Sequence, residues 1–287
     1  MILITGATGT TGRDIVGELH RLGAKGVRAL VRDPARADFI REAGFEAVAG
    51  DFEQPETLGS ALEGVERALL LTPPSMQTFE QQRAFIEAAA RAGVRHVVKF
   101  SALGADAGAP EGFGKWHGQG EELLKASGLA WTILRPNFFM QNLLGQAKQI
   151  ASDGVIAQAA GDGRASFIDT RDIAAVAART LTEEGHEGRT YTLTGPEALS
   201  YTDVAAKLSE ATGREIKYIS VAPAQFREMV LALGFPEWFV AALERLNEVF
   251  TSGEAAVLTD DVRRIGRKEP NTFERFARDY ADAFKGE

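Results

Sequence analysis

The pattern Gly6-x-x-Gly9-x-x-Gly12 constrains this chain most, because it joins the apolar run Ile2–Thr5 to a helical pattern with Ile15, Val16, Leu19 and Leu22 on one face. A strand that turns straight into a helix needs small residues at set places. The first glycine permits the tight turn, the second lets backbone approach a pyrophosphate, and the third lets the helix pack closely on the strand. The helix start then offers free N–H groups and the positive end of a dipole to phosphate. The spacing differs from G-x-G-x-x-G by one residue in the first gap, with the same physical need. It predicts a dinucleotide site built from Gly6, Thr8, Gly9, Thr10, Thr11 and Gly12.

Further apolar runs follow at Val27–Val31, Phe45–Ala49, Ala68–Leu71, His96–Phe100 and Trp131–Leu134. Most are continuous rather than alternating, which suits strands buried on both faces of a parallel sheet. Helical patterns separate them near Arg13–Leu22, Pro34–Ala43, Thr57–Leu62, Met76–Ala92 and Trp116–Ala126, each closed by a glycine suited to a helix C-terminus. Repeated strand–helix–strand units imply a doubly wound α/β sheet of Rossmann type. Later, Ala165–Ile168 reads as a strand, Asp169 or Thr170 as a cap for a helix near Arg171–Leu181, and Thr190–Leu193 as a strand returning to the sheet. Beyond Gly195-Pro196 the pattern is mostly helical, with Ser200-Tyr-Thr-Asp203 as a capping box and Asn271-Thr-Phe-Glu274 opening the last helix. The expected organisation is a nucleotide-binding domain over 1–140 and 168–195, with a smaller, mostly helical substrate cap over 141–167 and 196–287.

Composition excludes several functions. A net charge of −8 disfavours nucleic acid and anionic lipid as partners. With no cysteine, disulfides and thiolate chemistry are excluded. Four scattered histidines give no metal motif. No apolar stretch approaches the roughly 20 residues of a membrane helix. The opening Met-Ile-Leu-Ile-Thr-Gly carries no basic leader, so a cytoplasmic protein is expected. Oligomeric state is not legible.

An NAD site commonly holds an acid at the end of its second strand for the ribose 2′-hydroxyl. Here the position reads Arg32, with Arg36 and Arg13 nearby, and a guanidinium there forks onto a 2′-phosphate. NADP is therefore expected over NAD, with Asp33 as the competing feature. Asp51 and Phe52 follow the third strand as candidates for the adenine. Leu71-Thr72-Pro73 ends the fourth strand, where such sheets place ligands. Asn137 and Phe138, after the sixth strand, are candidates for the nicotinamide pocket.

Thr5-Gly-Ala-Thr-Gly9-x-x-Gly12, Val27-Arg-Ala-Leu-Val-Arg32, Gly93-Val-Arg-His-Val-Val-Lys-Phe-Ser101, Leu134-Arg-Pro-Asn137-Phe138, Phe167-Ile-Asp169-x-x-Asp172 and Tyr191-x-Leu-Thr-Gly-Pro together resemble the atypical short-chain dehydrogenase/reductases of the NmrA-like group. The chain is most similar there to NADPH-dependent quinone and triphenylmethane-dye reductases. The resemblance implies a Rossmann fold, NADP(H), and hydride transfer to a small quinone-like or conjugated aromatic acceptor. Ordinary short-chain dehydrogenases use Tyr-x-x-x-Lys, and the matching positions here are Phe113 and His117. A phenyl ring donates no proton, which counts against the usual carbonyl-reductase route. His117 becomes the candidate proton donor, with Ser101, Lys115 and Lys99 beside it and Glu121 one turn further on the helix. The lost tyrosine is equally compatible with a second implied class, NAD(P)-binding sensors without turnover. Nucleotide-sugar epimerases, which keep the tyrosine, fit less well.

Overall fold

The computed structural model describes residues 1–286, with Arg36 described by its backbone alone. The chain divides into two compact units. One comprises Met1–Arg135, Thr170–Thr192 and Asp261–Lys268, and the other Pro136–Asp169, Leu193–Asp260 and the chain from Glu269 on.

The first unit is organised on a sheet of seven strands: β1 (Ile2–Ile4), β2 (Val27–Val31), β3 (Glu46–Ala49), β4 (Arg67–Leu70), β5 (His96–Phe100), β6 (Ala130–Pro136) and β7 (Arg189–Leu193). Their spatial order is β3-β2-β1-β4-β5-β6-β7. The pairs β1–β2, β1–β4, β2–β3, β4–β5 and β5–β6 are all parallel. Each strand expected from sequence in this sheet forms within two residues of its predicted ends; β1, β2, β4, β5 and β6 are mostly buried, while the edge strands β3 and β7 are more exposed. The helices are α1 (Thr10–Arg21), α2 (Asp38–Glu42), α3 (Leu58–Ala61), α4 (Thr78–Arg91), α5 (Phe113–Ala126), α6 (Thr170–Thr182) and α7 (Asp261–Gly266). Leu3, Leu30, Leu58, Phe85, Val97 and Leu124 form one core layer. The helix expected over Pro34–Ala43 is broken: the Asp33 carboxylate accepts from Ala35 N at 3.0 Å and closes a 3-10 turn before α2 begins.

α7 departs from the expected cap assignment of 196–287. It belongs to the first unit, where Thr192 N donates to Asp261 Oδ2 at 2.9 Å, Arg179 Nε to Gly266 O at 3.2 Å and Lys268 Nζ to Asp172 Oδ1 at 2.5 Å. These are long-range polar contacts that leave no periodic trace in sequence.

The second unit packs Phe138, Phe167, Tyr201, Phe250 and Phe273 ring against ring. The Ser200–Asp203 capping box forms as predicted. Two expectations fail. Ala165–Ile168 is not a strand; its strand-like pairing is limited to isolated bridges, Ala165–Leu199 and Phe139–Ile168. Instead, Val155–Gln158 and Lys217–Ser220 pair in parallel as a separate two-stranded sheet. The helix at Asn271 starts one residue later than read, with Thr272 as its cap, and a further short helix, Ala281–Lys285, follows it. Among the described residues no helix is long and apolar enough to cross a membrane, and no cluster of His, Asp and Glu is arranged to hold a metal.

At the N-terminal edge of the sheet, His96 is almost wholly buried. Thr132 Oγ1 donates to His186 O at 2.6 Å and so accepts from His96 Nε2 at 2.8 Å, which leaves His96 Nδ1 buried without a partner. A second proton there has no acceptor, and burial lowers the imidazole pKa to about 4. The unfolded chain takes up this proton near its ordinary value, so stability is full above about pH 6.5 and falls as pH drops toward 4. The shift corresponds to roughly 3 kcal/mol. Urea unfolding across pH 7 to 4 is expected to lose stability on this scale. His96→Gln, which keeps a donor for Thr132 without titrating, is expected to flatten the decline.

Candidate active site

With β1 central, the chain runs outward to β2 and β3 on one side and to β4, β5 and β6 on the other. The carboxyl ends of β1 and β4 therefore flank the switch point, where a parallel sheet of this kind opens to ligands. Thr5 anchors that edge: its hydroxyl donates to Leu69 O and accepts from Leu71 N at 2.8 Å.

The glycine turn follows. Gly6 has φ +65°, a left-handed conformation that favours glycine, and a Cβ there would lie 2.8 Å from Leu71 Cγ. A Cβ on Gly12 would lie 2.0 Å from Gly6 O, so only glycine brings α1 this close to the turn. Gly9 caps α1 without a side-chain bond, and no acid stands in the first turn. The N–H groups of Thr10, Thr11 and Gly12 therefore precede the first intrahelical bond, Arg13 N to Gly9 O. Thr8, Gly9 and Thr10 are exposed. This cradle fits a pyrophosphate.

Arg32 is exposed just past the end of β2. Asp33, its competitor for the ribose, is occupied in capping the Ala35 turn. The Arg13 guanidinium stacks 4.2 Å from the centre of the Phe39 ring. The Arg36 side chain lies outside the described set. Asp51 closes a local turn with Glu53 N at 3.0 Å, and the Phe52 ring packs in the core against Phe85. Leu71 and Thr72 are half-buried and Pro73 exposed.

Two polar clusters lie at the end of β5. In the first, Ser101 Oγ donates to Glu121 Oε1 at 2.6 Å, and Arg135 Nη2 donates to Glu121 Oε2 at 2.6 Å. Burial raises the Glu121 pKa, but the hydrogen bonds from Arg135 and Ser101 outweigh it, so the group stays a carboxylate. Glu121 is thus committed to Ser101 after β5 and Arg135 on β6, rather than to His117 one turn before it on α5. In the second cluster, His117 Nδ1 meets Lys99 Nζ at 3.3 Å and Gln82 Nε2 at 3.4 Å, while Gln82 Nε2 also donates to Thr72 Oγ1 at 3.3 Å. Burial first, and then the Lys99 charge, hold the His117 pKa well below its ordinary value.

Lys115 points elsewhere, to Glu111 at 2.9 Å on the surface of α5. Phe113, at the usual tyrosine position, meets Trp116 edge to face. Asn137 and Phe138 belong to the second unit. The Asn137 amide is spent on Ser166 Oγ and Ala255 O, both at 2.7 Å, and the Phe138 ring packs on Phe167 and Phe250.

Sequence reasoning missed Gln82, Arg135 and Gly120. A Cβ on Gly120 would lie 1.7 Å from Gln82 Oε1 and 2.9 Å from Lys99 Cε, so this glycine admits both side chains. The signal was present: four glycines stand at or within α5, and each interior one costs about 1 kcal/mol in helix propensity.

Residues 6–184 match the NAD(P)H-binding family. The chain is 39% identical over 284 residues to the NAD(P)H azoreductase of Xenophilus azovorans, covering 99% of each. The structure of the Escherichia coli NADPH-dependent quinone oxidoreductase QOR2 complexed with NADPH is similar, with a TM-score of 0.89, 31% identity and 96% and 98% of the two chains covered. So is the Citrobacter triphenylmethane reductase complexed with NADP(H), with a TM-score of 0.86, 26% identity, and 98% and 99% covered. The chain belongs to the NAD(P)H-binding family. It falls among that family's quinone-, azo- and dye-reducing oxidoreductases, and it is itself an NAD(P)H-dependent reductase. Gly12→Ala is expected to weaken NADPH binding about tenfold or more, since relieving a clash of this size costs about 1–3 kcal/mol. Fluorescence titration with NADPH checks it, and an unchanged Kd contradicts it.

Proposed function

We propose that this chain uses NADPH to reduce a quinone-like or conjugated aromatic acceptor. One observation carries the reading: a glycine cradle followed by Arg32 stands at the same sheet edge as a neutral His117, with Phe113 where a tyrosine acid is usual. When bound, the reduced nicotinamide supplies the hydride. The relatives support the cofactor, since QOR2 is complexed with NADPH and the triphenylmethane reductase with NADP(H).

The chain's own residues then have defined tasks. The N–H groups of Thr10, Thr11 and Gly12 hold the pyrophosphate. Arg32, with Arg36 beside it in sequence, takes the 2′-phosphate, because Asp33 is engaged elsewhere. Leu71-Thr72-Pro73 lines the cofactor's edge of the sheet. Ser101 gives its proton to Glu121 and so offers only lone pairs elsewhere; its part is placement. His117 passes a proton to the reduced acceptor. A quinone needs this proton, because hydride alone leaves a hydroquinone anion. A triphenylmethane cation does not, because hydride on its central carbon already gives the neutral leuco dye. An acceptor of either kind dispenses with a strong acid at position 113.

Two outcomes follow. NADPH oxidation at 340 nm is expected with a panel of benzoquinones, azo dyes and triphenylmethane dyes, and Arg32→Ala is expected to reduce the preference for NADPH over NADH about tenfold or more. No turnover with any acceptor, in protein that binds NADPH, refutes the proposal. His117→Gln is expected to slow quinone reduction about 100-fold, the usual scale of lost proton transfer, while dye-cation reduction changes little. Equal loss with both acceptors assigns His117 to binding instead.

A further inference from the structure

Lys99 has no task in that scheme, yet its position is unusual. It sits on β5 with its side chain fully buried. Its polar contacts are Phe100 O at 3.5 Å and His117 Nδ1 at 3.3 Å. Glu121, an acid on the neighbouring α5, is bonded to Ser101 and Arg135 rather than to this ammonium. Gly120 leaves room for the side chain, since a Cβ there would lie 2.9 Å from Lys99 Cε. A helix has given up propensity to bring an amine against an imidazole.

Resting on the reading of His117 as the group that passes the proton, we propose that Lys99 is the proton store behind it: as Nε2–H goes to the reduced acceptor, Lys99 Nζ delivers a replacement proton to Nδ1. The balance is closed. Hydride brings two electrons and one proton to the quinone. The second proton leaves Nε2, the ring regains one at Nδ1 and stays neutral, and the ammonium becomes an amine; solvent then protonates Nε2 as Nδ1 hands its proton back to the amine, which restores the resting pair.

Three observations support this. First, an ammonium has only donors, so Nδ1 must accept and the ring proton must sit on Nε2. Gln82 alone does not impose that tautomer, because an amide offers either its oxygen or its NH2. Second, a neutral imidazole is a very weak acid unless a proton arrives on its other nitrogen, and the ring is held neutral by burial and by Lys99. Third, burial lowers the Lys99 pKa to about 7, against the pull of Glu121 and with the push of Arg135 and Lys125. The amine therefore gives up its proton readily near neutrality. Around the pair stand Glu121 and Lys125 on α5, Arg135 on β6, Gln82 on α4 and Thr72 beyond β4.

The test uses the full chain and Lys99→Met, which matches the length and removes a buried charge. In wild type, single-turnover quinone reduction is expected to fall as pH rises through about 7, while dye-cation reduction stays level. In Lys99→Met, quinone reduction is expected to drop about tenfold or more at pH 6.5 and lose that alkaline limb. NADPH affinity and dye turnover are expected to persist. Nitrogen-15 NMR of the imidazoles at pH 6 reads the tautomer without turnover: His117 carries its proton on Nε2 in wild type and shifts toward Nδ1–H in Lys99→Met. An unchanged quinone rate and limb in the variant overturns the proposal. So does an equal loss of dye turnover, or a His117 tautomer that ignores the substitution. Should neither acceptor be reduced by wild type, the reading of function fails, and the NMR result still decides the Lys99–His117 coupling.

Discussion

The close approach of Gly12 to the Gly6 carbonyl is the contact on which the rest of the site depends. It fixes where α1 starts, and hence which N–H groups of its first turn lack an intrahelical acceptor. It also fixes where β1 ends against β4. Thr5 ties the two strands together through Leu69 and Leu71, and Leu71 fills the space that a side chain on Gly6 would need. From Leu71 the chain reaches Thr72, and from Thr72 a run of polar contacts passes through Gln82 to His117 and Lys99. One glycine contact thus sets the position of the proposed phosphate cradle and of the groups proposed to move the proton.

The two polar clusters at the end of β5 show how differently a fold treats buried charge. Glu121 is ringed by donors, Arg135 and Ser101 among them, and stays ionised despite its burial. Such an arrangement holds β5, β6 and α5 in register. Lys99 has far weaker company, and burial brings its titration down toward neutrality. Satisfied buried charges are structural; poorly satisfied ones near neutrality are where proton chemistry is found.

The main sheet was legible because its inner strands are largely buried and so read as continuous apolar runs between glycine-closed helices. The glycine cradle and Arg32 were legible because their chemistry is local. Legibility ended where structure depends on distant partners. Lys217–Ser220 is short and largely exposed, so its pairing with Val155–Gln158 leaves little pattern. α7 returns to the first unit through contacts to Asp172, Arg179 and Thr192, none of them near in sequence. Glu121 stands one helical turn from His117, yet faces Ser101 and Arg135, because strand neighbours decide its orientation more than helix spacing does. Lys99 read as one basic residue in an apolar strand; only the glycines of α5 hinted that something large was admitted beneath that helix.

On the proposed function, this sheet edge brings a reduced nicotinamide to an acceptor for direct hydride transfer. Single-turnover stopped-flow with NADPH deuterated at either face of C4, mixed with a benzoquinone, tests it most directly. Direct transfer gives acceptor-dependent loss of the 340 nm band that is slowed by a primary isotope effect with one deuterated face and unaffected by the other. Loss of the band at equal rates with both faces and with unlabelled NADPH, or no loss at all from the bound cofactor, would contradict it.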